Sequence, residues 1–170
     1  MVLRLVGSEM CIRDRAKEHE FFSTGGLYVS PNENLLAYGE DTLSRRIYTI
    51  RVKDLATGGY LKDEVEGASS GVAWQNDNQA FYYIKKDPQT LLGYQVYRHV
   101  LGTPQSSDEL IYQEDDSAYY MSLGKSKDGE QVYIFHSSTE TSGVSVIDAN
   151  DPKAKAEPFY PREEGIEYSI

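Results

Sequence analysis

A polar turn that opens directly into an apolar strand occurs three times along this chain, and the spacing of these turns constrains the fold more than any other feature. Ser30-Pro31-Asn32-Glu33-Asn34 leads into Leu35-Leu36-Ala37-Tyr38. Trp74-Gln75-Asn76-Asp77-Asn78 leads into Gln79-Ala80-Phe81-Tyr82-Tyr83, and Ser126-Lys127-Asp128-Gly129 into Glu130-Gln131-Val132-Tyr133-Ile134-Phe135. Asn34, Asn78 and Gly129 are expected at one equivalent position, where a hairpin turn needs a residue that tolerates positive φ. They lie 44 and 51 residues apart. Further on, each unit has a second strand pattern, at Ile47 to Val52, Tyr94 to Val100 and Val144 to Ile147. Turns follow at Asp54 to Gly58, Leu101 to Pro104 and Asp148 to Pro152. A short last strand comes next, seen best at Leu110 to Gln113. Acidic or small-residue links, at Glu66 to Ser69, Asp115 to Ala118 and Glu164 to Ile166, then lead into the next unit.

Four short strands per unit at a period of about 40–50 residues are the pattern of a propeller blade. Alternation along Tyr94 to His99 sets Tyr94, Val96 and Arg98 on one face and Gln95, Tyr97 and His99 on the other. The high tyrosine content, 14 residues, suits strands better than helices. The expected fold is all-β: an incomplete β-propeller of about three four-stranded antiparallel blades. These fall near residues 24–66, 67–115 and 116–165, and the start of a fourth lies at 166. A blade face measures on the order of 300 Å². Two such faces left in water forfeit about 15 kcal/mol, as much as the net stability of a typical domain, about 5–15 kcal/mol. The expectation is a piece of a longer ring.

Residues 1–15 read differently. Ser8-Glu9-Met10-Cys11-Ile12-Arg13-Asp14-Arg15 resembles a translated sequencing adapter, and 1–15 is expected to be a non-native leader. The alternative is a genuine leading strand on Val2, Leu3, Leu5 and Val6. The net charge of −10 disfavours a basic nucleic-acid surface, and no apolar run is long enough to span a membrane. Cys11 is the single cysteine, and His19, His99 and His136 have no ligand spacing, so neither a disulfide nor a metal or other cofactor is expected.

Gly67-Ala68-Ser69-Ser70-Gly71 matches the G-x-S-x-G nucleophile elbow. That motif works at a strand-to-helix turn, whereas Val72-Ala73-Trp74 and a polar turn follow here, so no catalytic role is expected. His136 and His99 read as strand residues and not as bases. Tyr82, Tyr83, Tyr119 and Tyr120 read as packing between blades in preference to a stacking platform. Glu40-Asp41-Thr42-Leu43-Ser44-Arg45-Arg46 crowds two acids and two bases into one connection. It reads either as a solvated hairpin or as a polar contact with another domain.

The last of these runs, with Phe81-Tyr82-Tyr83-Ile84-Lys85-Lys86-Asp87-Pro88, Thr90-Leu91-Leu92-Gly93-Tyr94-Gln95-Val96-Tyr97-Arg98-His99, Gly102-Thr103-Pro104, Leu110-Ile111-Tyr112-Gln113-Glu114 and Asp148-Ala149, resembles the oligopeptidase B branch of the prolyl oligopeptidase family of serine peptidases. The ordered matches run from about Glu20 to the last residue. The resemblance implies a seven-bladed propeller and a C-terminal α/β-hydrolase domain with a Ser, Asp and His triad. It further implies cleavage of short peptides after Arg or Lys without a cofactor, and a propeller that gates the active site by size. No residue of this chain matches the triad. Glu20, Glu40, Arg45 and Arg46 become the candidate interdomain contacts. The expected partners are the hydrolase domain of the same parent chain and basic oligopeptides, with no nucleic acid and no membrane. The expected compartment is the cytoplasm, with the periplasm as the alternative. Two other readings are a propeller used only for protein interaction and a prolyl oligopeptidase of other specificity.

Overall fold

The computed structural model describes residue 12 and residues 14–170. The leading strand considered at Val2 to Val6 lies outside the described residues, and of the segment 1–15 only 12, 14 and 15 are described. The chain then runs as an antiparallel meander of β1 (Ser23–Val29), β2 (Leu35–Asp41), β3 (Tyr48–Asp54), β4 (Tyr60–Trp74), β5 (Ala80–Lys86), β6 (Gly93–Val100), β7 (Glu109–Gln113), β8 (Tyr120–Lys125), β9 (Gln131–Ser137), β10 (Ser142–Asp148) and β11 (Glu157–Pro158). Strands β1 to β7 are hydrogen-bonded in sequence order, and β8 to β11 form a second sheet in sequence order. This is the partial β-propeller expected from the repeats.

One expected link is a strand. Glu66 to Ser69 lies inside β4, whose first half pairs with β3 (Ile50 with Val65, Arg51 with Glu64). Its last residues pair with β5 (Val72 with Tyr83, Trp74 with Phe81). The first two blades therefore share one continuous strand. Gly67, at φ 70°, and the register shift between Ala68 and Val72 turn it from one blade to the next. Asp115 to Ala118, by contrast, is a true connection between sheets. The segment 167–170 forms no strand; Tyr168 folds back on β10, where its hydroxyl accepts a hydrogen bond from the Val144 amide at 3.0 Å.

The turn alignment needs one correction. In the β1–β2 turn of the first blade the residue at positive φ is Glu33 (φ 60°) and not Asn34, in the place that Asn78 (φ 61°) and Gly129 (φ 80°) take in the other two. Each closes the same four-residue turn, with its amide donating to the carbonyl of Ser30, Gln75 or Ser126. Pro31 takes the second turn position, so Asn34 falls one place too late. There its amide donates to the Asn32 side chain instead.

Alternation in β5 and β6 builds two seams. Phe81, Tyr83 and Tyr97 face the first blade and join Ala37, Ile50, Val52, Val65 and Trp74. Tyr82, Ile84 and Val96 face the third blade and join Val132, Ile134 and Ile147. Trp74, the single tryptophan, lies edge-on to Phe81 at 5.4 Å and donates its indole N–H to the Tyr28 carbonyl. Tyr82 and Tyr83 are thus interblade packing, while Tyr120 is exposed.

Candidate interdomain face

Because β4 bends to serve as the last strand of the first blade and the first strand of the second, each of these blades has four antiparallel strands. Every second connection counted in that way falls at the same end of the molecule. The turns at Ser30, Asp54, Gln75 and Ser126 share one end. The β2–β3 and β5–β6 loops, the link after β7 and the segment leading into β1 share the other. Glu20, Arg45 and Arg46 are therefore at one end. All three are exposed.

Asp41 organises this end, and the sequence reading passed over it. Its carboxylate accepts the Leu43 amide at 2.9 Å and the Arg46 amide at 2.7 Å. Burial pushes its pKa up, but these backbone donors outweigh burial and leave it below the ordinary aspartate range. The loop so wound holds Ser44 and Arg46 at positive φ (58° and 54°). Arg45 then reaches the Pro88 carbonyl at 3.2 Å, and Lys86 donates to the Arg46 carbonyl at 2.9 Å. The connections of two neighbouring blades are locked together, and they present both arginines outward. An acid two places ahead of a turn amide was the available signal.

Glu40 is placed differently. It is 4% exposed and lies on the face of the first blade that points away from the second. Its carboxylate meets Arg15 Nε at 2.6 Å, Arg51 Nε at 2.6 Å and the Tyr38 hydroxyl at 2.6 Å. Burial raises its pKa, and hydrogen bonds from Arg15, Tyr38 and Arg51 more than reverse that, so the net direction is down. Arg51 also pairs with Glu64. These bonds consume the acceptor capacity of Glu40 inside the chain.

Gly67 to Gly71 has no elbow geometry. The segment lies within β4 at its bend and leads on into strand and not helix, Ala68 is buried, and Ser69 Oγ accepts the Gly71 amide at 3.3 Å. A different serine meets a histidine: Ser145 Oγ is 3.0 Å from His136 Nε2, and Glu114 Oε2 is 3.4 Å from Nδ1. This line is not a hydrolytic triad. Ser145 sits within β10 with no helix N-terminus to stabilise an oxyanion. Arg162 already holds Glu114, at 2.7 and 3.2 Å. Burial drives His136 down to about 4, a weak base.

Residues 14–170 match the family described as prolyl oligopeptidase, N-terminal beta-propeller domain. The chain belongs to this prolyl oligopeptidase propeller family. Dipeptidyl aminopeptidase BI of Pseudoxanthomonas mexicana is 41% identical over 149 residues, which cover 88% of this chain and 20% of that protein. Oligopeptidase B from Leishmania major superposes with a TM-score of 0.85 at 28% identity, covering 92% of this chain and 22% of that one. Oligopeptidase B from Trypanosoma brucei, in a closed form with covalently bound antipain, gives a TM-score of 0.82 at 30% identity over 93% of this chain and 22% of that one. The propeller chain thus spans about a fifth of the length of these relatives. Among the described residues no helix is long and apolar enough to cross a membrane.

Proposed function

We propose that this chain is the opening part of a propeller that gates a serine oligopeptidase cutting short peptides after Arg or Lys. Such a parent protein carries the catalytic triad in an α/β-hydrolase domain, uses no cofactor and works in the cytoplasm. The end bearing Glu20, Arg45 and Arg46 faces that domain, and the two arginines take carboxylates from it when the enzyme closes. The observation that carries this reading is the Asp41-wound loop, which fixes both guanidinium-bearing residues outward on a scaffold that superposes on oligopeptidase B. Pre-set arginines hold carboxylates with little loss of side-chain entropy. Glu40 makes a poor fourth contact, because it is already bound within the blade.

The test uses the full-length protein that contains this chain. Arg46→Ala is expected to lower kcat/KM on an Arg-containing fluorogenic peptide by about tenfold or more, because closure positions the reacting groups. The urea midpoint should stay put. Unchanged kinetics would remove the interdomain reading.

The 41% identity to a protein named dipeptidyl aminopeptidase favours a second reading, release of dipeptides from a free amino terminus. Peptides with free and blocked amino termini separate the two. Endopeptidase action accepts both, and the dipeptidyl reading requires the free terminus.

A further inference from the structure

We propose that Asp63, His99 and Asp108 form a proton-dependent latch between the first and second blades. The inference stands on the seam alone and is independent of any catalytic reading. Asp63 belongs to the half of β4 that completes the first blade. His99 is on β6, and Asp108 immediately precedes β7 of the second. His99 Nε2 lies 3.1 Å from Asp63 Oδ1, and Nδ1 lies 2.7 Å from Asp108 Oδ1. The three side chains are 1%, 4% and 2% exposed.

The geometry sets the charge. A neutral imidazole has one N–H donor and one lone pair. With a carboxylate oxygen at each nitrogen, the neutral ring must aim its lone pair at one of them, in a site buried from solvent. A second proton turns both contacts into charge-assisted hydrogen bonds. The remaining partners leave the charge to the histidine. Asp63 also accepts the Gly102 amide at 2.5 Å, and Asp108 accepts the Tyr83 hydroxyl from β5 at 2.9 Å. The Phe81 ring covers the imidazole at 5.2 Å. Among the described residues no lysine or arginine forms a salt bridge with either acid. Burial pushes the His99 pKa down, and Asp108 and then Asp63 outweigh it, so the direction is up from 6.5.

A histidine raised in the folded state stabilises fully below its unfolded pKa, and that stabilisation disappears as pH rises through the folded value. The latch is therefore fully held below the ordinary histidine value and releases as pH rises through the raised one. Its release leaves Asp63 tied to the second blade by the Gly102 amide alone, on a seam also stitched there by Gln105, whose side chain bonds the Glu66 amide and carbonyl at 3.0 and 2.9 Å.

The test is a titration of the histidine-labelled full-length protein that contains this chain by two-bond ¹H–¹⁵N correlation, from about pH 6 to about pH 9, with His99→Gln assigning the ring signals and Trp74→Phe isolating the Trp74 emission. His99 is expected to show both ring nitrogens protonated through neutrality and to lose a proton above the ordinary histidine range. A fall in the urea midpoint and a shift in Trp74 emission should accompany that step. Asp63→Asn should move the step toward the ordinary range and flatten the alkaline loss of stability. A single neutral tautomer at neutral pH, or deprotonation at or below the ordinary range, overturns the proposal. If Asp63→Asn does not fold, the wild-type titration alone decides.

Discussion

The two seams of this chain each bury a histidine beside carboxylate, and they shift its titration in opposite directions. At the first seam His99 lies between Asp63 and Asp108 with no guanidinium in the contact, so the charged ring is favoured. At the second, Arg162 forks onto Glu114 while its guanidinium lies 3.7 Å from the Tyr119 ring centroid. With that acid taken, burial dominates and His136 is held down to about 4. A neutral ring is what Ser145 needs, since Nε2 can then accept its hydroxyl proton at 3.0 Å. Composition near a histidine does not set its charge. In these two sites the lowered histidine is the one whose acid a permanent cation has already claimed, and the raised one has no such competitor.

The apolar halves of the seams offer the hardest test of treating them as separate units. Phe81→Ala removes a fully buried ring beside Trp74 and is expected to cost about 3–5 kcal/mol and to shift Trp74 emission. Ile134→Ala, buried at the second seam, should cost stability within the same broad range and leave folded-state emission unmoved. Equal emission shifts from both variants would show that the seams respond as one.

Acid should attack the second seam while alkali attacks the first. His136 is held to about 4 against 6.5 for an ordinary histidine, so the unfolded chain binds the extra proton between those values and stability falls as pH drops through them. The loss is on the order of 3 kcal/mol by pH 4. Urea midpoints measured across that interval check it, and His136→Gln should remove the slope.

Arg162→Met converts the second seam toward the first. The stem is kept and the guanidinium is lost. Because the Arg162 side chain is 31% exposed, the cost should sit below that of a fully buried pair, at about 2 kcal/mol. The sharper readout is His136 itself, whose titration midpoint should climb from about 4 once Glu114 has no other cation. A midpoint that stays put would mean that burial alone holds this ring neutral.

The blades were legible in the sequence because their signals are local. Period-two alternation in Tyr94 to His99 and turn residues such as Gly129 act within a few positions. The seams were not legible. His99 lies 36 residues from Asp63, and charged residues spread over separate strands look the same in sequence whether solvated or buried together. Glu40 shows the same limit: its acid-and-base neighbourhood reads either as a solvated hairpin or as a contact with another domain, and two of its partners within the blade, Arg15 and Arg51, lie outside that run. Gly67 was read as part of a link, because sequence does not distinguish a glycine that ends a strand from one that bends it.

The smallest expected effect lies outside both seams, at the turns. Ser30 and Ser126 play one role, each accepting the amide of the residue that opens the next strand, Leu35 at 3.0 Å and Gln131 at 2.9 Å. Each also sits in the same relation to Asn32 or Asp128. The turns differ at the left-handed position, where the third blade has Gly129, the second Asn78 and the first Glu33. A side chain larger than asparagine is strained there, by about 1–2 kcal/mol. Gly129→Glu should therefore cost about 1 kcal/mol, while Glu33→Asn should return about 0.5 kcal/mol, both read from urea midpoints. Neither variant should move Trp74 emission or the titration of either buried histidine. If Glu33→Asn destabilises instead, the exposed glutamate has a tertiary role in the first blade that its turn geometry does not reveal.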